Sequence, residues 1–191
     1  MARHKEFDPA ERLNRARNLF WKKGYHATSM QDLVTATKLH RGSLYDTYGD
    51  KHQLFMESLT SYATETHAAY KDATTGIKSP LKAIKAMIQK AISRSFDEEK
   101  VCMSVKSSFE LAPFYEDVQR ELQIQVKSLA LAFEKLIIKG QQAGEIDKKK
   151  NAKQLALFIV GSFAGFWQMQ NLFNDKKMAT EMSEVLMQSL K

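Results

Sequence analysis

The chain of 191 residues has a single cysteine, Cys102, so no disulfide can form within it, and a lone thiol suits a reducing compartment. Only three prolines interrupt it, which leaves long stretches free of helix breakers. Its eight glycines are scattered and nowhere build the loop that cradles a phosphate or a dinucleotide. Neither HExxH nor CxxC occurs, and the five histidines lack a zinc-ligand spacing. Glu65 and His67 stand two apart, whereas a di-iron bundle helix uses Glu-x-x-His. No cofactor, metal or catalytic set is therefore expected, and an enzyme is not the expected reading. The first twenty residues are charged and hold no long apolar run, which argues against a secretory signal and for the cytoplasm.

What is present is helix-forming sequence with unevenly placed charge. Lys and Arg number 29 against 22 Asp and Glu, a net +7. Residues 1–51 carry ten basic and six acidic side chains, while the other 140 carry nineteen and sixteen. Basicity is thus concentrated in the N-terminal quarter, as a surface facing phosphate requires. Taken alone, such charge also fits a solvated basic helix face.

Within that quarter, the stretch Thr28 to Lys51 reads as two short helices and a tight turn. Ser29 with Asp32 forms a capping-box-like start, and Met30, Leu33 and Val34 give an apolar face at helical spacing. Thr37, Lys38 and Leu39 make the turn, and His40 is a candidate cap for the second helix. There Leu44 and Tyr48, four apart, point inward and leave Arg41, Ser43, Tyr45, Asp46 and Thr47 outward. Gly49 ends that helix, and Asp50 with Gln53 caps the next. A short helix displaying Arg, hydroxyls and a tyrosine suits insertion into a DNA major groove. Upstream, Asp8-Pro9 starts a helix with Leu13, Ala16, Leu19 and Phe20 on its buried stripe and Glu11 answering the cap. Ala2-Arg3-His4-Lys5 reads as a loose arm.

This stretch resembles the DNA-binding segment of the TetR family of transcriptional repressors. The match lies in Thr28-Ser29 opening one helix and in Gly42-Ser43-Leu44-Tyr45, Tyr48 and Lys51, following G-[ST]-L-Y-x-x-[FY]-x-x-K. It extends upstream to about Phe7; beyond, the likeness is in helical layout and length. Lys38 stands where the family has a turn glycine, and His40 where a small hydroxyl residue is common. The resemblance implies an all-α chain: a three-helix, helix-turn-helix DNA-binding domain over 1–51, then a larger helical effector-binding and dimerisation domain over 52–191. It implies a dimeric, ligand-responsive repressor on a palindromic double-stranded operator. An activator of the same fold and a helical interaction protein without DNA are the alternatives. Arg41 is the expected base contact, with Gln31, Ser43 and Thr47 as weaker candidates beside Gly42. Tyr45, Lys51 and Thr28 or Ser29 are expected on phosphates, Tyr45 having a half-buried packing role as its alternative.

Further helices are expected over about 51–73, from Ser79-Pro80, over 101–112, and over 116–143 with Val118, Leu122, Val126, Leu129, Phe133, Leu136 and Ile137 buried. Asp97-Glu98-Glu99-Lys100 breaks the pattern, and Asp147 to Lys150 reads as a solvated charge cluster. Gln154 to Asn174 lacks charge, and Gly161 with Gly165 forms GxxxG. Its dense apolar part, Leu155 to Trp167, is shorter than the ~20 residues a bilayer needs. We read it, with Met178, Met182, Val185, Leu186 and Leu190, as a homodimer interface and pocket wall rather than a membrane span. Met87, Phe109, Phe133, Phe163 and Trp167 are candidate pocket lining, each also readable as plain core. Cys102 reads as buried packing or, near a helix start with Lys100 and Lys106 close, as a reactive thiolate opposed by Glu98 and Glu99. Val101-Cys102 to Ala112-Pro113 resembles a helix in TetR-like repressors that sense electrophiles or oxidants through cysteine, although Val101 replaces a small residue there.

Overall fold

The computed structural model describes residues 7–97 and 102–191, excepting the side chain of Asp97. The arm at 2–5 and the segment 98–101, with Glu98, Glu99, Lys100 and Val101, lie outside the described residues. The described chain is all helix: α1 Pro9–Lys23, α2 Met30–Thr37, α3 Arg41–Tyr48, α4 Lys51–Thr74, α5 Pro80–Asp97, α6 Met103–Glu110, α7 Glu116–Gln142, α8 Ala152–Phe173 and α9 Lys176–Gln188.

The caps explain most boundaries. Asp8 accepts from the Ala10 amide with Pro9 at the first helical position, while Glu11 pairs with Arg15 instead of answering the cap. Ser29 and Asp32 form a reciprocal capping box, and Asp50 accepts from the Gln53 amide. Lys38 adopts the left-handed conformation, φ 56°, that a glycine would take without strain. His40 occupies the N-cap position of α3 but its imidazole makes no capping bond, contrary to expectation. The Ala112 amide still bonds to the Ser107 carbonyl, and the chain turns through Pro113 to start α7 at Glu116.

Helices α1 and α3 pack on α4, with α2 against α1 and α3; α5, α7, α8 and α9 form the larger bundle, with α6 bridging α4 and α7. Buried side chains form one cluster from Ala16 through Leu59 and Ile88 to Leu190, so the core continues through α4. On α7 the buried face runs through Val118, Leu122, Gln125, Phe133 and Ile137, while Val126 is 47% exposed and not core. Asp147 to Lys150 is more than a solvated cluster: the Gln141 amide donates to the Asp147 and Lys150 carbonyls, and the Lys150 ammonium to the Ser189 carbonyl. No described helix is long and apolar enough to cross a membrane.

Candidate nucleic-acid interface and internal cavity

On α3 the fixed side is Leu44 and Tyr48, both buried, with the Tyr48 hydroxyl donating to the Pro9 carbonyl at 2.7 Å. That bond ties α3 to the start of α1. The opposite side presents Arg41, Gly42, Tyr45 and Asp46 exposed, flanked by the partly exposed Ser43 and Thr47. Tyr45 is 42% exposed and lies beneath the Arg41 guanidinium, 5.8 Å from ring centroid to Arg41 Cζ, so it is a surface residue and not a packing one. Gln31 and Ser29 are exposed on the α2 side of the same region. Ser29 Oγ is committed to Asp32, which also takes the Lys23 ammonium at 2.6 Å; these bonds hold the Asp32 carboxyl well below its usual range.

Thr28 does not belong to this surface. It is fully buried and its hydroxyl donates to the Gly24 carbonyl at 2.6 Å, so its side chain fixes the turn after α1 and cannot reach a phosphate. Lys51 opens α4 with its ammonium over the Tyr25 ring, 4.4 Å from the centroid. Loss of water there lowers its pKa, the nearby Glu110 carboxylate opposing.

Around Lys51 the small helical head joins the larger bundle through polar links. The Glu110 carboxylate accepts from the His26 amide at 3.0 Å, and His52 Nε2 meets the Asp117 carboxylate at 2.6 Å, holding that carboxyl below its ordinary value. Beside them His52 stacks on Tyr115, and Tyr25 meets His52 and Phe55 edge-on. Deeper in, Glu65 of α4 binds Arg17 of α1 at 2.6 Å and Arg94 of α5 at 3.2 Å. Arg17 also donates to Ser61 and Asn14.

The other side of α4 walls a cavity of about 340 Å³ between α4, α6, α7 and α8. Phe163 and Trp167 line it as expected, and so does Cys102. The other expected lining residues lie elsewhere. Met87 is buried beside a separate pocket at α4, α5 and α7, and Phe133 is fully buried core that backs Phe163 edge-on at 5.9 Å. Phe109 is 75% exposed on the outer side of α6, where a groove of about 970 Å³ runs between α1, α6 and α8. Sequence reasoning missed the polar part of the wall: Tyr62, Thr66, Tyr70, Ser104 and Gln125. The signal available was hydroxyls recurring every four residues at 62, 66 and 70, positions one above another on one side of a helix.

Cys102 is the N-cap of α6 and is buried. Loss of water raises its thiol pKa; the Tyr62 hydroxyl, the first amides of α6 and Arg94 pull the other way and do not overcome it. The expected lowering by Lys106 fails because that ammonium extends toward Gly24 and Glu110, outside the cavity. Lys100, Glu98 and Glu99 are not among the described residues.

Comparison with known proteins agrees with this geometry. A family described as bacterial regulatory proteins of the tetR family matches residues 13–57, and a tetracyclin repressor-like C-terminal domain matches residues 80–186. The HTH-type transcriptional regulator YezE of Bacillus subtilis is 35% identical over 149 residues, 77% of each chain. The HTH-type transcriptional repressor ComR of Escherichia coli is 28% identical over 160 residues, 82% of this chain and 76% of ComR. Among solved structures, a cysteine mutant of the TetR family regulator CifR, complexed with a 26-base-pair double-strand operator DNA, superposes with a TM-score of 0.87 at 21% identity over all of both chains. With both halves matched and the reading helix outward in place, the chain belongs to the TetR family of bacterial transcriptional regulators.

Proposed function

We propose that the protein is a dimeric, ligand-responsive repressor that leaves a palindromic operator when a small molecule fills the cavity. The observation that carries this reading is the double use of α4. Its start and its Glu65 side hold the head, while Tyr62, Thr66 and Tyr70 of the same helix face the cavity. A ligand that alters the lie of α4 alters the angle of α3. A coupling of ~1–3 kcal/mol corresponds to about 5- to 150-fold in operator affinity. Arg41 is the residue for guanine readout, with Gln31, Ser43 and Thr47 near base edges and Gly42 allowing close approach; Tyr45 and Lys51 hold phosphates, while Ser29, whose amide and hydroxyl both donate to Asp32, serves as the cap of α2.

Dimerisation through α8 and α9 fits their surface. Leu157, Phe158, Leu172 and Phe173 of α8 and Val185 of α9 are each at least half exposed, an apolar display that a second copy would cover. Gly161 and Gly165 stand among them, and a Cβ at either would meet no backbone within the protomer, leaving room for close helix approach. ComR carries the name repressor, and CifR was captured on operator DNA; both support the reading by analogy.

Genome-wide mapping of bound DNA, followed by a reporter with and without the gene, tests the proposal. Raised expression on deletion supports repression, and lowered expression supports an activator of the same fold. No recovered sites would support a helical interaction protein. Because burial keeps Cys102 protonated, a noncovalent effector is preferred to an electrophile or oxidant. Operator release by an alkylating agent in wild type but not in Cys102→Ser would reverse that preference.

A further inference from the structure

The cavity's chemistry narrows its ligand further than its position does. Among the described residues none that lines it is Lys, Arg, Asp or Glu, and most of that wall is apolar or aromatic. A charged ligand would therefore surrender its hydration with no described carboxylate, ammonium or guanidinium on the wall to face it, the one imidazole, His67, being exposed, at a cost far larger than one hydrogen bond returns. At the ~30 Å³ that a water occupies in the liquid, the space corresponds to about eleven waters, so a ligand of roughly ten to fifteen non-hydrogen atoms fits. Most polar groups of the wall are already engaged. Ser104 Oγ donates to Gln125 Oε1 at 2.7 Å, and the Gln125 amide donates to Glu121. Thr66 accepts from Arg94, and the Tyr62 hydroxyl bonds to the Cys102 sulfur.

Tyr70 is different. Its side chain is 5% exposed and lines the cavity, and its hydroxyl has no hydrogen-bond partner among the described residues. That hydroxyl opens onto the cavity and is not among the polar atoms shut off from solvent, so it is a donor free to meet a ligand acceptor. We propose that Tyr70 is the polar anchor of the cavity, and that the ligand is an uncharged, mainly apolar or aromatic molecule bearing one acceptor such as a carbonyl, held without a covalent bond. This rests on the reading of the cavity as the effector site and adds the ligand's class and its specificity-determining residue. Burial also keeps the Tyr70 phenol protonated and able to donate.

Four probes of one shape test it by calorimetry on the full-length protein: methyl naphthyl ketone, its isopropenyl isostere, naphthoate and naphthamidine. The ketone is expected to bind about 2- to 12-fold more tightly than the isopropenyl compound, the range of one net hydrogen bond. The two ions are expected to show no measurable binding. In Tyr70→Phe that preference disappears while isopropenyl binding remains, and in Cys102→Ser it persists. A ketone preference absent from wild type or surviving in Tyr70→Phe, ions that bind as well as the ketone, or no binding by any probe to the folded protein would each overturn the proposal. Ketone binding with the expected Tyr70 dependence but no effect on operator affinity would leave the anchor standing and retire the effector reading instead.

Discussion

Replacing Glu65 with alanine should destabilise the whole protein, because it strands a guanidinium that has little access to water. The Arg17 and Arg94 side chains are 9% and 12% exposed, whereas Glu65 is 48% exposed. Removing one member of a fully buried pair costs ~3–5 kcal/mol. Here solvent reaches the carboxylate side, and Arg17 keeps Ser61 and Asn14 as acceptors. An expected loss of about 1–3 kcal/mol follows from that discount. For a chain of this length it corresponds to a fall in Tm of roughly 3–10 °C by thermal denaturation. The decisive comparison is the double variant Glu65→Ala with Arg17→Met. Since methionine needs no partner, the double variant should be more stable than Glu65→Ala alone. A double variant that melts lower, or a Glu65→Ala protein indistinguishable from wild type, would refute the stranded-charge argument.

Other outcomes can be set down more briefly. Arg41→Ala should lose ~1–3 kcal/mol on the operator and little on random DNA, while Lys51→Ala should weaken all sequences alike and lower the salt slope by about one; titrations at several salt concentrations check both. Phe158→Glu should yield monomers by light scattering and abolish operator binding, whereas Leu131→Glu on the exposed side of α7 should remain dimeric; equal effects would move the interface. Glu145 accepts from Ser79 Oγ and the Leu81 amide, which lowers its carboxyl pKa, so the native state binds its proton less readily than the unfolded chain. Its stabilisation should be complete at neutral pH and vanish as pH falls below the ordinary carboxyl range. The Tm gap between wild type and Glu145→Gln should therefore close on acidification.

What the sequence made legible was mostly local. Ser29 with Asp32, Asp8 before Pro9, Asp50 and Gly49 act within a few residues of themselves, and each boundary they mark is present. The outward set on α3 followed from Leu44 and Tyr48 being four apart. Val126 misled because its spacing from Leu122 and Leu129 suits a helix stripe, yet the buried side turns through Gln125, a polar residue that a hydrophobic pattern skips. Phe109 misled through bulk alone: α6 is eight residues long and buries only Met103 and Ser107. The links that join head to bundle, Arg17 to Glu65 and His26 to Glu110, span distant parts of the chain and leave no periodic trace. Cys102 is buried, the first of its two readings; the sequence left the choice open for the same reason, since the side its neighbour Lys106 faces is a property of packing.

The Arg17–Glu65–Arg94 bridge also bears on how far the protein is modular. A cut at residue 51 separates the reading helices in sequence, and the matched N-terminal family segment ends at residue 57. Neither cut keeps Arg17 with Ser61 and Glu65. A regulator assembled from this head and a relative's bundle would then carry a desolvated cation facing whatever the donor supplies at the equivalent of Glu65. The exchangeable unit runs at least through Glu65, and there it already includes Tyr62 of the cavity wall. The head and the cavity wall therefore cannot be swapped cleanly, because one helix belongs to both.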